Sequence, residues 1–90
     1  MKYLINFQVL VTFVDGSNYS LRSTYTTLEK ECEDNNLKSF KDVGNWFYYF
    51  FKNNSLDNFV NIAKFNKKIS KADLKVGRIT NSLSGEYETF

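Results

Sequence analysis

Ninety residues amount to one small domain, residues 1–90, with a modest core and an expected net stability of about 5–10 kcal/mol. With no His and one Cys, the chain cannot assemble an imidazole or thiolate zinc site, an internal disulfide, or a Ser-His-Asp or Cys-His catalytic arrangement. The net charge of +2 is unevenly spread: residues 1–34 carry three basic and five acidic groups, and residues 35–80 carry nine basic and three acidic, an asymmetry that speaks to partners rather than to fold.

Residues 3–13 alternate. Tyr3, Ile5, Phe7, Val9, Val11 and Phe13 share one side, and Lys2, Asn6, Gln8 and Thr12 share the other with Leu4 and Leu10. A period of two predicts a strand with one buried face. Asn6, Gln8 and Thr12 interrupt the apolar run and no small-residue cleavage site follows, so no signal peptide is expected, and no segment approaches the ~18–20 apolar residues of a membrane span. Asp15-Gly16-Ser17-Asn18 is a turn signal. Residues 19–27 resume the alternation with Tyr19, Leu21, Ser23 and Tyr25. Both apolar sets fall at odd positions, so directly opposed residues must sum to an even number, which demands a loop of odd length. The reading is a Gly16-Ser17-Asn18 type of loop with Asn18 in the left-handed position.

Thr26-Thr27-Leu28-Glu29 fits a capping box with Thr26 as N-cap, and predicts a short acidic helix to about Asn35 with Leu28 and Cys32 on one side. Cys32 lies among Glu29, Glu31, Glu33 and Asp34, a poor setting for a nucleophile. The pair Glu29 and Glu33 reads as a solvated acidic face, with a weak cation site as its alternative. Ser39 before Phe40 and Asp42 is a second N-cap signature, opening a helix to about Asn53. That helix contains Asn45-Trp46-Phe47-Tyr48-Tyr49-Phe50-Phe51. At 100° per residue, Phe40, Val43, Phe47, Phe50 and Phe51 share an arc of roughly 100° facing the core. Trp46 and Tyr48 flank it, and Tyr49 points outward. These three rings either seal the helix–sheet boundary or form a binding patch.

In the region 56–80, Leu56, Phe59, Val60 and Ala63 keep a helical period, yet Val60, Ile62, Ile69, Val76 and Ile79 suit strands. Strands at about 58–63, 66–70 and 74–80 are expected, with Ser70-Lys71-Ala72-Asp73 as a local turn. The tail 81–90 is either loose or pinned by Tyr87 and Phe90. The sum is an α+β fold: a small antiparallel sheet with an N-terminal β-hairpin and one main aromatic helix packed across it.

The most pointed surface signal is Lys64, Lys67, Lys68, Lys71, Lys75 and Arg78, six basic groups against the single acid Asp73. It reads either as a solvated sheet edge guarded against aggregation or as the footprint of an acidic partner, RNA, DNA or protein. One Arg among five Lys gives little bidentate readout of bases or phosphates, and the aromatics sit on a helix rather than on a stacking sheet.

Absence of Pro and abundance of Asn, Lys, Phe and Tyr match AT-rich codons and a low-GC bacterium or its phages. A strand hairpin, then SFKDVGNWFYYFFKNN, then NFVNIAKFNKKISKADLKVGRI resembles, in overall character, small phage-encoded anti-defence inhibitors of the anti-CRISPR type. The resemblance implies a non-enzymatic protein without cofactor or metal, acting in the bacterial cytoplasm. It would occlude a host protein such as a CRISPR effector. Inhibitors that imitate DNA are strongly acidic, so this mildly basic chain would instead cap a protein surface or touch nucleic acid. The residues expected at the contact are Trp46, Tyr48, Tyr49, Lys64, Lys67, Lys68, Lys71, Lys75 and Arg78. The other readings are a nucleic-acid-binding accessory protein using 64–78, and a self-assembling virion component using a strand edge.

Overall fold

A computed structural model describes residues 1–90 as seven elements: β1 (Tyr3–Phe13), β2 (Asn18–Thr26), α1 (Glu29–Asp34), α2 (Phe40–Asn54), α3 (Leu56–Ile62), β3 (Ile69–Asn81) and β4 (Tyr87–Thr89). The strands form one antiparallel sheet in the order β2-β1-β3-β4. The helices cover one face of it, giving the expected α+β architecture. No helix is long and apolar enough to cross a membrane.

The hairpin pairs Leu4 with Thr26 through Thr12 with Asn18, every pair summing to an even number. The odd side of β1 is therefore buried throughout, from Tyr3 to Phe13. Phe13 N–H donates to the Ser17 carbonyl at 2.8 Å, closing a three-residue loop, Val14-Asp15-Gly16. The left-handed residue is Gly16 at φ 88°, not Asn18. A three-residue hairpin loop places its left-handed position last, where Gly has no Cβ to clash, so Asn18 is free to begin β2.

The first helix starts later than the Thr26 capping box predicts. Thr26 stays in the strand opposite Leu4, and Thr27 is buried, its Oγ1 accepting from Tyr3 N–H at 2.8 Å. Leu28 becomes the N-cap and its N–H donates to Glu31 Oε1 at 2.7 Å. The second helix begins as expected: Ser39 Oγ accepts from Asp42 N–H at 3.1 Å, satisfying one of the free donors of the first turn. Val43, Phe47 and Phe51 are buried, and Phe40 and Phe50 are half-buried. Phe47 and Phe51 tilt against Phe7 of β1 at 5.1 and 4.7 Å between centroids.

Two expectations in 56–80 are corrected. Residues 56–62 are helical. Leu56 and Val60 are buried, and Phe59 packs on Phe7 and Phe51 at 5.5 and 5.6 Å. That docking at i, i+3 and i+4 outweighs the strand preference of Val60 and Ile62, and leaves Ile62 exposed. Ser55 joins the helices: its N–H caps Phe51 and its carbonyl accepts from Phe59. The separate strands expected at 66–70 and 74–80 are one strand, β3, and Ser70–Asp73 lies inside it rather than in a turn. The interruption in the alternation is real but is met by register shifts. Ala72, Leu74 and Val76 face the helices at even positions opposite Val11, Val9 and Phe7, whereas Ile79 faces them at an odd position opposite Ile5. One extra residue must be accommodated, and the ladder does so between Phe7/Val76 and Ile5/Ile79, at Gly77 and Arg78. A second shift brings odd-numbered Ile69 opposite Phe13.

The tail is pinned. Tyr87–Thr89 pairs with Arg78–Thr80, and Phe90 N–H donates to the Gly77 carbonyl at 2.7 Å. The Phe90 ring lies over Gly44 of α2, where a Cβ would sit 3.3 Å from it.

Candidate functional site on the open face of the sheet

Because the odd residues of β1 face the helices, its even residues face away, with no element over them. Leu4, Asn6, Gln8, Leu10 and Thr12 line the middle of this open face. Asn18, Ser20, Arg22, Thr24 and Thr26 lie beside them on β2. On β3 the open-face residues are Lys71, Asp73, Lys75 and Thr80. Arg78 joins them because of the bulge. It lies three residues beyond Lys75, a spacing that would turn it inward in a regular strand.

Gln8 sits opposite Arg22 on one side and Lys75 on the other. With strands about 4.8 Å apart, the two cations rise as walls on either side of an amide floor. Asn6 continues that floor between Thr24 and the bulge, and Gly77 adds no side chain above it. The result is a concavity of about 630 Å³ lined by Asn6, Gln8, Arg22, Thr24, Lys75 and Gly77, with Phe90 among its other walls. Arg78 stands beyond it, its guanidinium 4.5 Å from the centre of the Tyr87 ring, a cation–π contact.

The ion pairs of the molecule leave this face cationic. They join the N-terminus to Glu29, Lys67 to Asp15 at 3.1 Å, and Lys71 to Asp73 at 3.5 Å. Arg22, Lys75 and Arg78 have no carboxylate partner. Amides, hydroxyls and unpaired cations on a broad open surface bind acidic groups by charge-assisted hydrogen bonds. No group of three or more His, Cys, Asp or Glu converges to hold a metal ion.

The basic stretch 64–78 is thereby divided. Lys71, Lys75 and Arg78 stand on the open face. Lys64 terminates the α3 connection at φ 51°, and Lys67 and Lys68 precede β3. Lys67 is committed to the hairpin loop: it pairs with Asp15, donates to Ser17 Oγ at 3.1 Å and lies over Phe13. Hydrogen bonds from the Ser17 hydroxyl and backbone N–H, and from Lys67, hold the Asp15 carboxyl down to about 2.

The three aromatic candidates lie in the helical layer, on the other side of the sheet from Arg22, Lys75 and Arg78. Trp46 is half-buried, stacked on Phe50 at 4.9 Å and 13°, and 6.4 Å from Tyr25 of β2. Tyr48 is half-buried on the opposite flank, with Lys52 at 5.6 Å from its ring. Tyr49 meets Tyr48 edge-on at 5.4 Å and is 64% exposed. Trp46 and Tyr48 thus seal boundaries, and Tyr49 alone offers most of its ring to solvent.

Sequence reasoning passed over Arg22, Asn6, Gln8 and Thr24. A signal for them exists in the hairpin parity: once residue pairs sum to 30, Gln8 must face Arg22 and Asn6 must face Thr24. The chain matches no family model, no curated protein and no solved structure, so the site is read from its own geometry.

Proposed function

We propose that the chain is a non-catalytic binding domain that occludes an acidic surface of a partner protein through the open face of its sheet. The reading rests on one observation: Arg22 and Lys75 stand without carboxylate partners in the walls of an uncovered concavity floored by Asn6 and Gln8, with unpaired Arg78 beyond it. An acidic protein surface supplies carboxylates for these cations, and acceptors and donors for Asn6, Gln8 and Thr24. Inhibition of a host defence protein is the role that the likeness to small phage inhibitors adds.

The test is affinity capture from a nuclease-treated low-GC bacterial lysate, with wild type beside an Arg22→Glu/Lys75→Glu variant. A discrete protein held by the wild type and released by the double variant is the expected result. Equal capture by both overturns the assignment to this face.

A second reading, binding of single-stranded nucleic acid, is favoured by the position of the cations across an open antiparallel sheet. Against it, the central strand β1 presents Leu4, Asn6, Gln8, Leu10 and Thr12 where stacking platforms present aromatic rings. Such binding would rest on phosphate contacts, indifferent to sequence and steeply weakened by salt. Tight binding of an RNA or DNA oligonucleotide, lost in the double variant, would put this reading first.

A further inference from the structure

The sheet has two long open edges, and they differ in chemistry. On β3, β4 pairs only with Arg78, Ile79 and Thr80, so the edge from Ile69 to Val76 is free. It carries Lys71, Asp73 and Lys75, the charges by which strands resist edge-to-edge pairing. On β2, all nine residues Asn18–Thr26 lie at the opposite edge. They include no Pro, Gly or Lys, show no bulge against β1, and hold a single charge, Arg22.

The hydrogen bonds of the hairpin show which groups this edge presents. Phe13 N–H to Ser17 and Thr27 N–H to Tyr3 mark 13/17 and 3/27 as hydrogen-bonded pairs. The alternation of an antiparallel ladder then makes every odd–odd pair a bonded one. The odd residues of β2 turn their backbone groups toward β1. The even residues Ser20, Arg22, Thr24 and Thr26 turn theirs outward, and none has a backbone partner elsewhere in the molecule. Beside this edge, on the helical side, lies a half-exposed apolar strip of Leu21, Tyr25, Trp46 and Phe50, with Trp46 stacked on Phe50 and Tyr25 near both.

We propose that the β2 edge pairs with the β2 edge of a second copy of this chain, antiparallel about a two-fold axis at Ser23, making one continuous sheet. Outward-facing even residues must meet even residues, so paired positions sum to an even number. A register centred on Arg22 sets Arg22 against its own copy, and like charges directly opposed disfavour it. A register centred on Leu21 sets Tyr25 against the hairpin turn at Ser17. The register centred on Ser23 sets Arg22 opposite the partner's Thr24, Ser20 opposite the partner's Thr26, and Leu21 opposite the partner's Tyr25. The two Arg22 side chains are then diagonal rather than directly opposed, and the apolar strips of the two copies meet across the axis. The occupant is a second copy because this one register satisfies backbone parity, charge and apolar contact from both sides at once, as a two-fold interface requires. The dimer would also place two open faces side by side, doubling the cationic surface.

Position 24 makes the pairing testable, since its outward backbone groups and open-face side chain are not needed by the monomer. Wild type, Thr24→Lys and Thr24→Glu are compared by sedimentation equilibrium up to about 0.5 mM, where even a weak association is visible. Circular dichroism checks that each variant is folded. The expected result is a concentration-dependent dimer, weakened about tenfold or more by Thr24→Lys, which opposes the partner's Arg22 twice, and tightened by Thr24→Glu, which pairs with it twice. Wild type that stays monomeric throughout overturns the proposal, including the case in which β2 accepts only a strand of a different protein. So does a dimer indifferent to both substitutions, or one that responds to the same charge changes at Ser20 instead.

Discussion

Thr27 shows how one side chain ties the ends of the hairpin to the helical layer. It is fully buried, its Oγ1 accepts from Tyr3 N–H, and it lies 3.4 Å from Cys32 Sγ. Thr27→Val keeps the shape and removes the acceptor, leaving a buried N–H unpaired. The expected loss is about 1–3 kcal/mol, read from the midpoint of chemical denaturation. Tyr25 gives a pH signature. Burial, then the hydrogen bond to Glu31 Oε2 at 2.8 Å and the charge of that carboxylate, push its pKa from 10.0 up to about 12. The folded chain therefore holds this proton more tightly than the unfolded one. Its contribution is whole below pH 10 and declines as pH rises toward about 12. Stability of the wild type should fall more steeply across that window than stability of Tyr25→Phe. Parallel profiles would show that the hydroxyl has no such role.

At the scale of elements, caps and the β3 bulge decide the outcome. Removing the Ser39 acceptor with Ser39→Ala should cost about 1 kcal/mol, visible as a lower thermal midpoint. For β3 the consequence is less ordinary. Apolar positions change from even to odd between Val76 and Ile79, so deleting Gly77 restores an unbroken alternation and keeps Leu74, Val76 and Ile79 all inward. Deleting Asp73 instead makes Ala72 and Leu74 neighbours, so that one of these two inward residues must turn outward. Each buried apolar side chain turned outward forfeits about 1.5–3 kcal/mol, a large share of a small domain's stability. Both deletions should melt cooperatively, the Gly77 deletion at the higher midpoint. The α3 helix belongs at this scale too: its residues fit helix and strand alike, and the rings of Phe7 and Phe51 decided between them.

For the whole molecule, the helices on one face leave the other uncovered. The basic stretch, contiguous in sequence, is distributed between two places by the fold. Charge reversal at Lys67, bound to Asp15 and Ser17, should leave capture of an acidic partner nearly unchanged at moderate salt. Reversal at Lys75 should weaken it about tenfold or more, the scale of a charge-assisted contact. Equal effects of the two would indicate that net charge, not the open face, governs binding. The Lys residues of this face were legible as a run of charge. Arg22 was not, because it stands 53 positions from Lys75 in the chain and meets it only across Gln8.

What the amino-acid order determined by itself is local. The alternation of residues 3–13 and 19–25 settled the buried face and the parity of the hairpin. Ser39 and the spacing of Val43, Phe47 and Phe51 settled the start and inner face of α2. Tertiary structure alone decided the rest: helix at 56–62, one bulged strand at 69–81, the docking of Phe90 against Gly44, and the meeting of Arg22 with Lys75. Each of these depends on contacts between distant segments, whose energies no local period encodes.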